Sequence, residues 1–145
     1  MTRILVTGSR DWDDPEFVDD LICDYWRWHE SALVVVRGDC PTGADAHAGQ
    51  AVIRLQGEGF DATEEVYKAY WEQYGKRAGF LRNKEMVDDG GAEVCLAFIR
   101  NGSRGATMTA DLAEKSGIPT VRFERWSPHI RPGLKYVPGG TVTFE

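Results

Sequence analysis

The sequence predicts an α/β domain in which a mostly parallel β-sheet is covered by helices on both faces and followed by a short C-terminal β-hairpin. Three observations support this fold class. Strand and helix patterns alternate from the first residues to about residue 124, the strands are short apolar runs, and glycine-bearing loops follow three of them. Such alternation requires right-handed crossovers, which generate a parallel sheet. A length of 145 residues fits one domain with a sizeable core.

The first strand and the first helix are defined by clear local signals. Residues 3–7 (RILVT) form a short apolar run that ends at Gly8, which is typical of a buried strand. Pro15 begins the first helix, because Asp13 and Asp14 supply an acidic cap and proline suits the first helical position. The apolar residues of this helix fall on one face: Phe17, Val18, Leu21, Ile22, Tyr25 and Trp26.

The later elements continue the alternation. The third helix has a ragged start, and Gly117 ends the fourth at its C-terminal cap. Pro138, Gly139 and Gly140 separate two short extended pieces, which predicts the terminal hairpin. In chain order, the elements are a strand at 32–36, a helix at 44–56, a strand at 62–67, a helix at 77–90, a strand at 93–99, a helix at 105–117, a strand at 120–124, and hairpin strands at 135–137 and 141–144.

Composition indicates a soluble protein of the cytoplasm. Hydrophobic residues make up 42% and charged residues 28% of the chain, no apolar run reaches the roughly 18 residues of a membrane span, and the N-terminus lacks signal-peptide features. The three cysteines form no C-x-x-C pair and the three histidines lie far apart, so neither a metal nor a cofactor is predicted. A net charge of −6 argues against a general nucleic-acid-coating role, because such binding neutralises phosphates with Lys and Arg.

Three glycine-bearing loops are expected to meet at one edge of the sheet. They lie at 8–11 (GSRD), 38–43 (GDCPTG) and 101–105 (NGSRG), after the first, second and fourth strands. A strand order of 3-2-1-4-5 places these strands side by side. Ligands of such sheets bind beyond the carboxyl ends of the strands, near the switch in strand order. The loops are therefore predicted to form one continuous ligand-binding rim.

The loop after the fourth strand has the chemistry of an anion site. Gly102 and Gly105 permit close backbone approach, and the following helix offers free N–H groups and the positive end of its dipole. The same residue types also favour an ordinary turn, so the prediction depends on the three loops together. Hydroxyl groups and positive charge come from Ser103, Thr107, Arg100 and Arg104.

The loop after the second strand has the glycine spacing of a P-loop without its reactive side chains. Gly38 and Gly43 match G-x-x-x-x-G-K-[ST], yet Ala44 and Asp45 stand in place of the lysine and the hydroxyl. Without those groups, γ-phosphate chemistry loses its main electrophiles. The glycines still suit a mono- or diphosphate or a ribose. Asp45 either accepts from ribose hydroxyls or is an ordinary first-turn acid favoured by the helix dipole.

Four motifs occur along the chain in a recognisable order: TGSRDW (7–12), GDCPTGAD (38–45), YGKRAGFLRNKEM (74–86) and NGSRGAT (101–107). Together they resemble the YspA-like branch of the SLOG superfamily, which includes the LOG phosphoribohydrolases and the DprA/Smf proteins. The resemblance implies a Rossmann-like nucleotide-binding domain at 1–126, with an extension at 127–145 packed on it. It also implies a nucleotide or ADP-ribose-like ligand and a homodimer or higher homo-oligomer.

The loops and the resemblance together predict a set of ligand-binding residues. Arg82 and Asn83 belong to this set because they lie in the motif LRNKEM. Catalytic LOG proteins carry an arginine on the corresponding helix, so Arg82 is the candidate catalytic residue. The glutamate of those proteins has no match, because Asp111 is offset by one position, about 100° around a helix. The full set is Gly8, Ser9, Arg10, Gly38, Thr42, Gly43, Asp45, Arg82, Asn83, Gly102, Ser103, Arg104, Gly105 and Thr107.

Three functions remain open. The leading hypothesis is binding of a nucleotide or ADP-ribose-like ligand for sensing or sequestration. The second is a phosphoribohydrolase or related N-glycosidase, in which Arg82 acts with an unexpected carboxylate, Asp45, Glu85 or Asp111. The third, by kinship with the DprA/Smf proteins, is single-stranded DNA binding, against which the acidic composition counts.

Side chains close to the loops admit two interpretations. Trp71, Tyr74 and Phe80 either stack on a purine or fill the core or an interface. Cys40 is interpreted as a small packing residue of its loop rather than a nucleophile, because no histidine is near it in the sequence.

Overall fold

The structure is a computed structural model that describes residues 1–29, 32–125 and the backbone of 141–144. No described helix has the length and apolar character needed to cross a membrane. The strands are β1 (Thr2–Gly8), β2 (Leu33–Gly38), β3 (Ala62–Tyr67), β4 (Val94–Arg100), β5 (Thr120–Arg125) and β6 (Thr141–Phe144). The helices are α1 (Pro15–His29), α2 (Gly43–Gly57), α3 (Trp71–Tyr74), α4 (Ala78–Asp89) and α5 (Arg104–Lys115).

The strands form one parallel sheet in the order β3-β2-β1-β4-β5-β6. The predicted α/β class and the 3-2-1-4-5 order are confirmed. β6 extends the sheet by pairing in parallel with β5, Arg122 lying opposite Thr141. The first strand of the predicted hairpin, at 135–137, lies outside the described residues. So does the predicted domain boundary at 126/127, and the C-terminal extension is described only at β6.

The sheet is buried on both faces, as parallel sheets generally are. Alternate residues of β1 belong to different hydrophobic clusters. Ile4 and Val6 pack with residues of α1 and α2, whereas Leu5 packs with residues of α4 and α5. The inner strands β1, β2 and β4 read as apolar runs for this reason, whereas the edge strand β3 (ATEEVY) is only partly buried.

The helices begin and end near the capping residues that the sequence indicates, and one short helix, α3, is additional. The Asp14 side chain caps α1, its Oδ1 accepting from the Phe17 amide at 3.1 Å, and Gly117 lies just beyond α5 with φ +82°. The helix predicted at 77–90 is α4, which a 3₁₀ turn at Gly75–Arg77 precedes, and the short helix α3 before that turn was not predicted. Gly75 has φ +59°, a conformation that separates the two helical segments.

A buried tryptophan anchors the loop between β1 and α1. Trp12 is 1% exposed, and its ring packs edge-on against Phe98 with 5.3 Å between ring centroids. Its indole N–H donates to the Asp14 carbonyl at 3.2 Å, and its own carbonyl lies 2.7 Å from His47 Nε2 of α2. The loop that follows β1 is thereby fixed to both the core and α2.

Gly43→Ala tests how closely the loops approach one another. Gly43 has φ +68°, and a Cβ there would overlap the Ser9 carbonyl oxygen and lie 2.6 Å from the Arg10 carbonyl carbon. We expect the free energy of unfolding to fall by at least about 2 kcal/mol, from backbone strain and overlap together. Urea denaturation measures the change.

Gly57→Ala is the matched control at the other end of α2. A Cβ at Gly57 would meet no atom within 4 Å, so its stability should change by less than about 1 kcal/mol. Equal effects of the two substitutions would contradict the described contact between Gly43 and the β1 loop.

Candidate functional site

The three glycine-bearing loops meet at Ser9, which is 1% exposed. Its amide donates to the Phe98 carbonyl at 2.8 Å, and its carbonyl accepts from the amides of Trp12 and Ala44, each at 3.2 Å. Its hydroxyl accepts from the Arg100 amide at 2.8 Å. One residue thus joins the loops that follow β1, β2 and β4. Because these groups are occupied by the protein, Ser9 holds the site together rather than facing a ligand.

Two predicted glycines serve the same junction. Gly43 lies against the Ser9–Arg10 backbone, and a Cβ at Gly8 would lie 2.5 Å from the Ala44 Cβ. Both glycines therefore allow α2 to approach the end of β1. Glycine is needed at both positions because a side chain there would clash with neighbouring atoms of the protein.

A cavity of about 530 Å³ lies beyond the carboxyl ends of β1 and β4. This is the position where the strand order reverses, and the volume lies in the ~300–1,000 Å³ range of small-molecule sites. The predicted residues in its wall are Gly8, Arg10, Asp45, Arg82, Asn83, Ser103 and Gly105.

The other predicted residues lie outside that wall. Thr107 donates its hydroxyl proton to the Ser103 carbonyl at 2.7 Å, and the Arg104 side chain is exposed. Thr42 is the residue before α2, and its hydroxyl makes no capping hydrogen bond. Beside these three, the residues outside the wall are Ser9, Gly38, Gly43 and Gly102.

The N-terminus of α5 presents free amides to the cavity. Asn101 and Gly102 have φ of +51° and +66°, and this left-handed turn leads into the helix. The Ser103 side chain makes no capping bond, and Thr107 is the first residue of this turn whose amide bonds within the helix, to the Ser103 carbonyl at 3.0 Å. Among the described residues, the amides of 104–106 have no hydrogen-bond partner. Such a helix end attracts anions.

The N-terminus of α2 is different, because one of its amides and a first-turn carboxylate make contacts within the protein. The Ala44 amide donates to the Ser9 carbonyl, and the Asp45 carboxylate accepts from the Cys40 amide at 3.3 Å. A carboxylate in the first turn satisfies the positive end of the helix dipole. The loop with P-loop-like spacing therefore packs against the protein itself, in keeping with the absence of the P-loop lysine.

Arg82 is a buried cation in the cavity wall, 9% exposed. Its Nη1 donates to Asp39 Oδ1 at 2.9 Å, and its Nε donates to Asn83 Oδ1 at 2.8 Å. The guanidinium lies over Gly38, where a Cβ would come within 2.7 Å of both Arg82 Cζ and Asp45 Oδ2. Gly38 thus makes room for the Arg82 side chain beside the carboxylate.

Asp45 is a carboxylate that shares the cavity with Arg82, and it is 7% exposed. Burial raises the pKa of Asp45 above its usual value, while the charge of Arg82 and the hydrogen bond from Cys40 oppose that shift. A carboxyl with a raised pKa beside a buried arginine in a cleft marks a candidate functional group. The other two carboxylates considered lie elsewhere: Glu85 is exposed, and Asp111 pairs with Arg122 at 2.6 Å.

Arg10 and Arg100 add positive charge to the wall. Arg100 Nη1 donates to the Asp11 carbonyl at 2.8 Å, whereas its Nε is buried and has no hydrogen-bond partner among the described residues. Buried donors in native proteins generally have partners, so Nε is an unusual feature of this wall. The Arg10 guanidinium lies over the Trp71 ring, 5.4 Å from its centre.

Sequence reasoning missed several wall residues. Thr7 and Ala106 lie one position beyond the predicted loops, whereas Asp11 and Asn101 lie inside the loops but were not among the predicted site residues. Gly79 lies within a quoted motif but carried no chemical signal, since its role is spatial. Cys40, interpreted as a packing residue, also lines the cavity.

Asp45→Asn tests the buried carboxyl through the pH dependence of stability. Because burial raises the pKa of Asp45, the folded protein holds this proton more tightly than the unfolded chain does. Its contribution to stability is therefore fully present below about pH 4 and is lost as the pH rises through the raised pKa. In urea unfolding from about pH 4 to about pH 8, the unfolding free energy of the wild type should fall relative to Asp45→Asn. A wild type that gains stability relative to Asp45→Asn as the pH rises would contradict the raised pKa.

Comparison with known proteins places the chain in a family. No model of a known protein family matches the sequence. The chain is 44% identical over 123 residues to the Gene 61 protein of Mycobacterium phage D29, across 85% of this chain and 97% of the phage protein. The aligned length spans almost the whole phage protein. The chain therefore belongs to the same family as the Gene 61 protein of Mycobacterium phage D29.

Proposed function

We propose that this protein binds a nucleotide or ADP-ribose-like ligand at the carboxyl edge of its sheet, for sensing or sequestration. The proposal follows the resemblance to the YspA-like branch of the SLOG superfamily, and with it we propose a homodimer that works in the cytoplasm. The observation that carries it is the N-terminus of α5, whose free amides border the same cavity as Arg10, Arg82 and Arg100.

Positive groups surround the position of the anion. The α5 amides supply directed donors and a favourable dipole, and Arg100 Nε supplies a further buried donor. Arg10 makes its only described contact with a ring face and belongs to an exposed loop, so its guanidinium is able to reach a phosphate oxygen. Arginine suits phosphate because its planar donors fit two oxygens at once.

A nucleotide fits this cavity better than a small inorganic anion. The cavity of about 530 Å³ continues from the α5 amides to Asp45 and Asn83, which offer hydrogen-bonding groups away from the anion end. Carboxylate and amide oxygens accept hydrogen bonds from sugar hydroxyls. A phosphate with a ribose attached therefore uses both ends of the wall.

Nucleoside triphosphate hydrolysis is not part of this proposal. The loop after β2 lacks the P-loop lysine and the metal-binding hydroxyl, and the Asp45 carboxylate lies in the first turn of the helix that follows it. The wall groups hold a ligand in place without the electrophiles that activate a γ-phosphate.

Arg10→Ala tests the binding of AMP and ADP-ribose by isothermal titration calorimetry. The wild type should bind one ligand per chain, and loss of an arginine–phosphate bond should raise Kd by about 10- to 100-fold. Arg104→Ala is the matched control, because it removes the same charge from an exposed rim residue outside the cavity wall. We expect it to change Kd by no more than about threefold.

Two outcomes contradict the proposal. One is the absence of heat with either ligand from a folded wild-type protein. The other is an equal loss of affinity in both variants, which would mean that only the general charge of the rim matters.

A second candidate function is hydrolysis of the N-glycosidic bond of a nucleoside monophosphate, and the placement of Asp45 favours it. Among the carboxylates considered, Asp45 shares the cavity wall with Arg82. Burial raises its pKa, which favours the protonated form that a general acid needs. In the reaction, the C1′–N9 bond of AMP breaks, water supplies a hydroxyl to C1′, and a proton is added to adenine.

Release of adenine and ribose 5-phosphate from AMP measures this activity. Asp45→Asn should lower the rate by at least about 100-fold, as loss of a general acid does. Glu85→Gln, a change at an exposed carboxylate, should leave the rate unchanged. If AMP binds and no adenine forms, the protein is a binding protein and the hydrolase is excluded.

A further inference from the structure

A second, smaller cavity adjoins the proposed ligand site. Its volume is about 190 Å³, and Arg10, Cys40 and Arg82 line it as well as the larger cavity. The residues that belong to the smaller cavity alone are Asp39, Pro41 and Trp71. Because three side chains border both spaces, one ligand is able to extend from the α5 amides into the smaller cavity.

Trp71 presents an indole ring to this smaller cavity. The residue is 46% exposed, which is high for a large aromatic side chain. A Cβ at Gly79 would lie 3.1 Å from the edge of the indole, at Cη2, so the glycine allows the ring to rest close to the start of α4. The other described contact of the ring is the Arg10 guanidinium, 5.4 Å from its centre. The ring is thus supported by α4 and remains accessible.

The smaller cavity combines an aromatic surface with a single polar acceptor. Asp39 Oδ1 accepts from Arg82 Nη1 at 2.9 Å and from the Ala69 amide at 3.4 Å. Asp39 Oδ2 has no hydrogen-bond partner among the described residues. A planar heteroaromatic ring with an amino group matches this pair, because its face stacks on indole and its N–H donates to a carboxylate.

We propose that the smaller cavity binds the nucleobase of the ligand, a purine with an exocyclic amino group, stacked on Trp71 and hydrogen-bonded to Asp39. This inference rests on the proposed function and names the specificity-determining residues of that site. The phosphate lies at the α5 amides, the ribose lies beside Asp45, and Arg10 exchanges its contact with the indole for one with the phosphate.

The test compares AMP with ribose 5-phosphate, which has the same sugar and phosphate but no base. Calorimetry is performed on the full-length wild type, Trp71→Ala, Trp71→Phe and Tyr74→Ala. Tyr74 is the matched control, because it is also 46% exposed in α3 but lies outside both cavity walls.

We expect the wild type to bind AMP more tightly than ribose 5-phosphate. Trp71→Ala should raise the Kd for AMP by roughly 5- to 150-fold, as loss of one stacked base does, and should not raise the Kd for ribose 5-phosphate. Trp71→Phe should restore most of the AMP affinity, and Tyr74→Ala should bind both ligands like the wild type. IMP, which lacks the amino group, should bind less tightly than AMP.

The outcomes separate this inference from the proposed function. Equal wild-type affinity for AMP and ribose 5-phosphate overturns the base site and leaves nucleotide-phosphate binding in place. A Trp71→Ala variant that loses affinity for both ligands alike also overturns it, since the effect is then not on the base. Equal affinity for AMP and IMP contradicts the role of Asp39. A wild type that binds neither AMP nor ribose 5-phosphate overturns both proposals.

Discussion

The geometry of the whole edge depends on Ser9, which holds three loops through its own amide, carbonyl and hydroxyl. All of these hydrogen bonds are made in a place where the residue is 1% exposed, so losing any partner leaves a buried polar group unsatisfied. The junction also needs Gly43, because no side chain fits between α2 and the Ser9–Arg10 backbone. Fixed in this way, the ends of β1 and β4 form a preformed cavity.

That junction makes the two helix N-termini at this edge unequal. At the α2 terminus the Ala44 amide donates to Ser9, and the negative charge of the Asp45 carboxylate in the first turn disfavours an anion there. The α5 terminus keeps three amides free beside the cavity. A glycine loop with P-loop spacing thereby acts as part of the scaffold, and we propose that the anion binds at the neighbouring loop. We propose that Asp45, which stands where a P-loop carries its hydroxyl, contacts the sugar or transfers a proton.

The fold was predictable because its signals are local. Strand periodicity, the Asp14-Pro15 helix start and the Gly117 stop each depend on a few neighbouring residues, and strand–helix alternation then restricts the topology. The site was only partly predictable. Gly43 and Gly105 look alike in sequence, yet a Cβ at Gly43 overlaps another loop and one at Gly105 meets nothing within 4 Å. Likewise, burial raises the pKa of Asp45, and that burial depends on residues distant in the chain. The spacing of residues in the sequence does not reveal it.

The central claim is that the free amides of α5, and not those of α2, receive the anion of the ligand. Titration of ¹⁵N-labelled protein with AMP measures this directly through the backbone amide resonances. The account predicts that the resonances of residues 104–106 shift with a common saturation curve, while those of residues 43–45 move much less. Shifts centred on residues 43–45, or saturable binding that leaves residues 104–106 unperturbed, would contradict it.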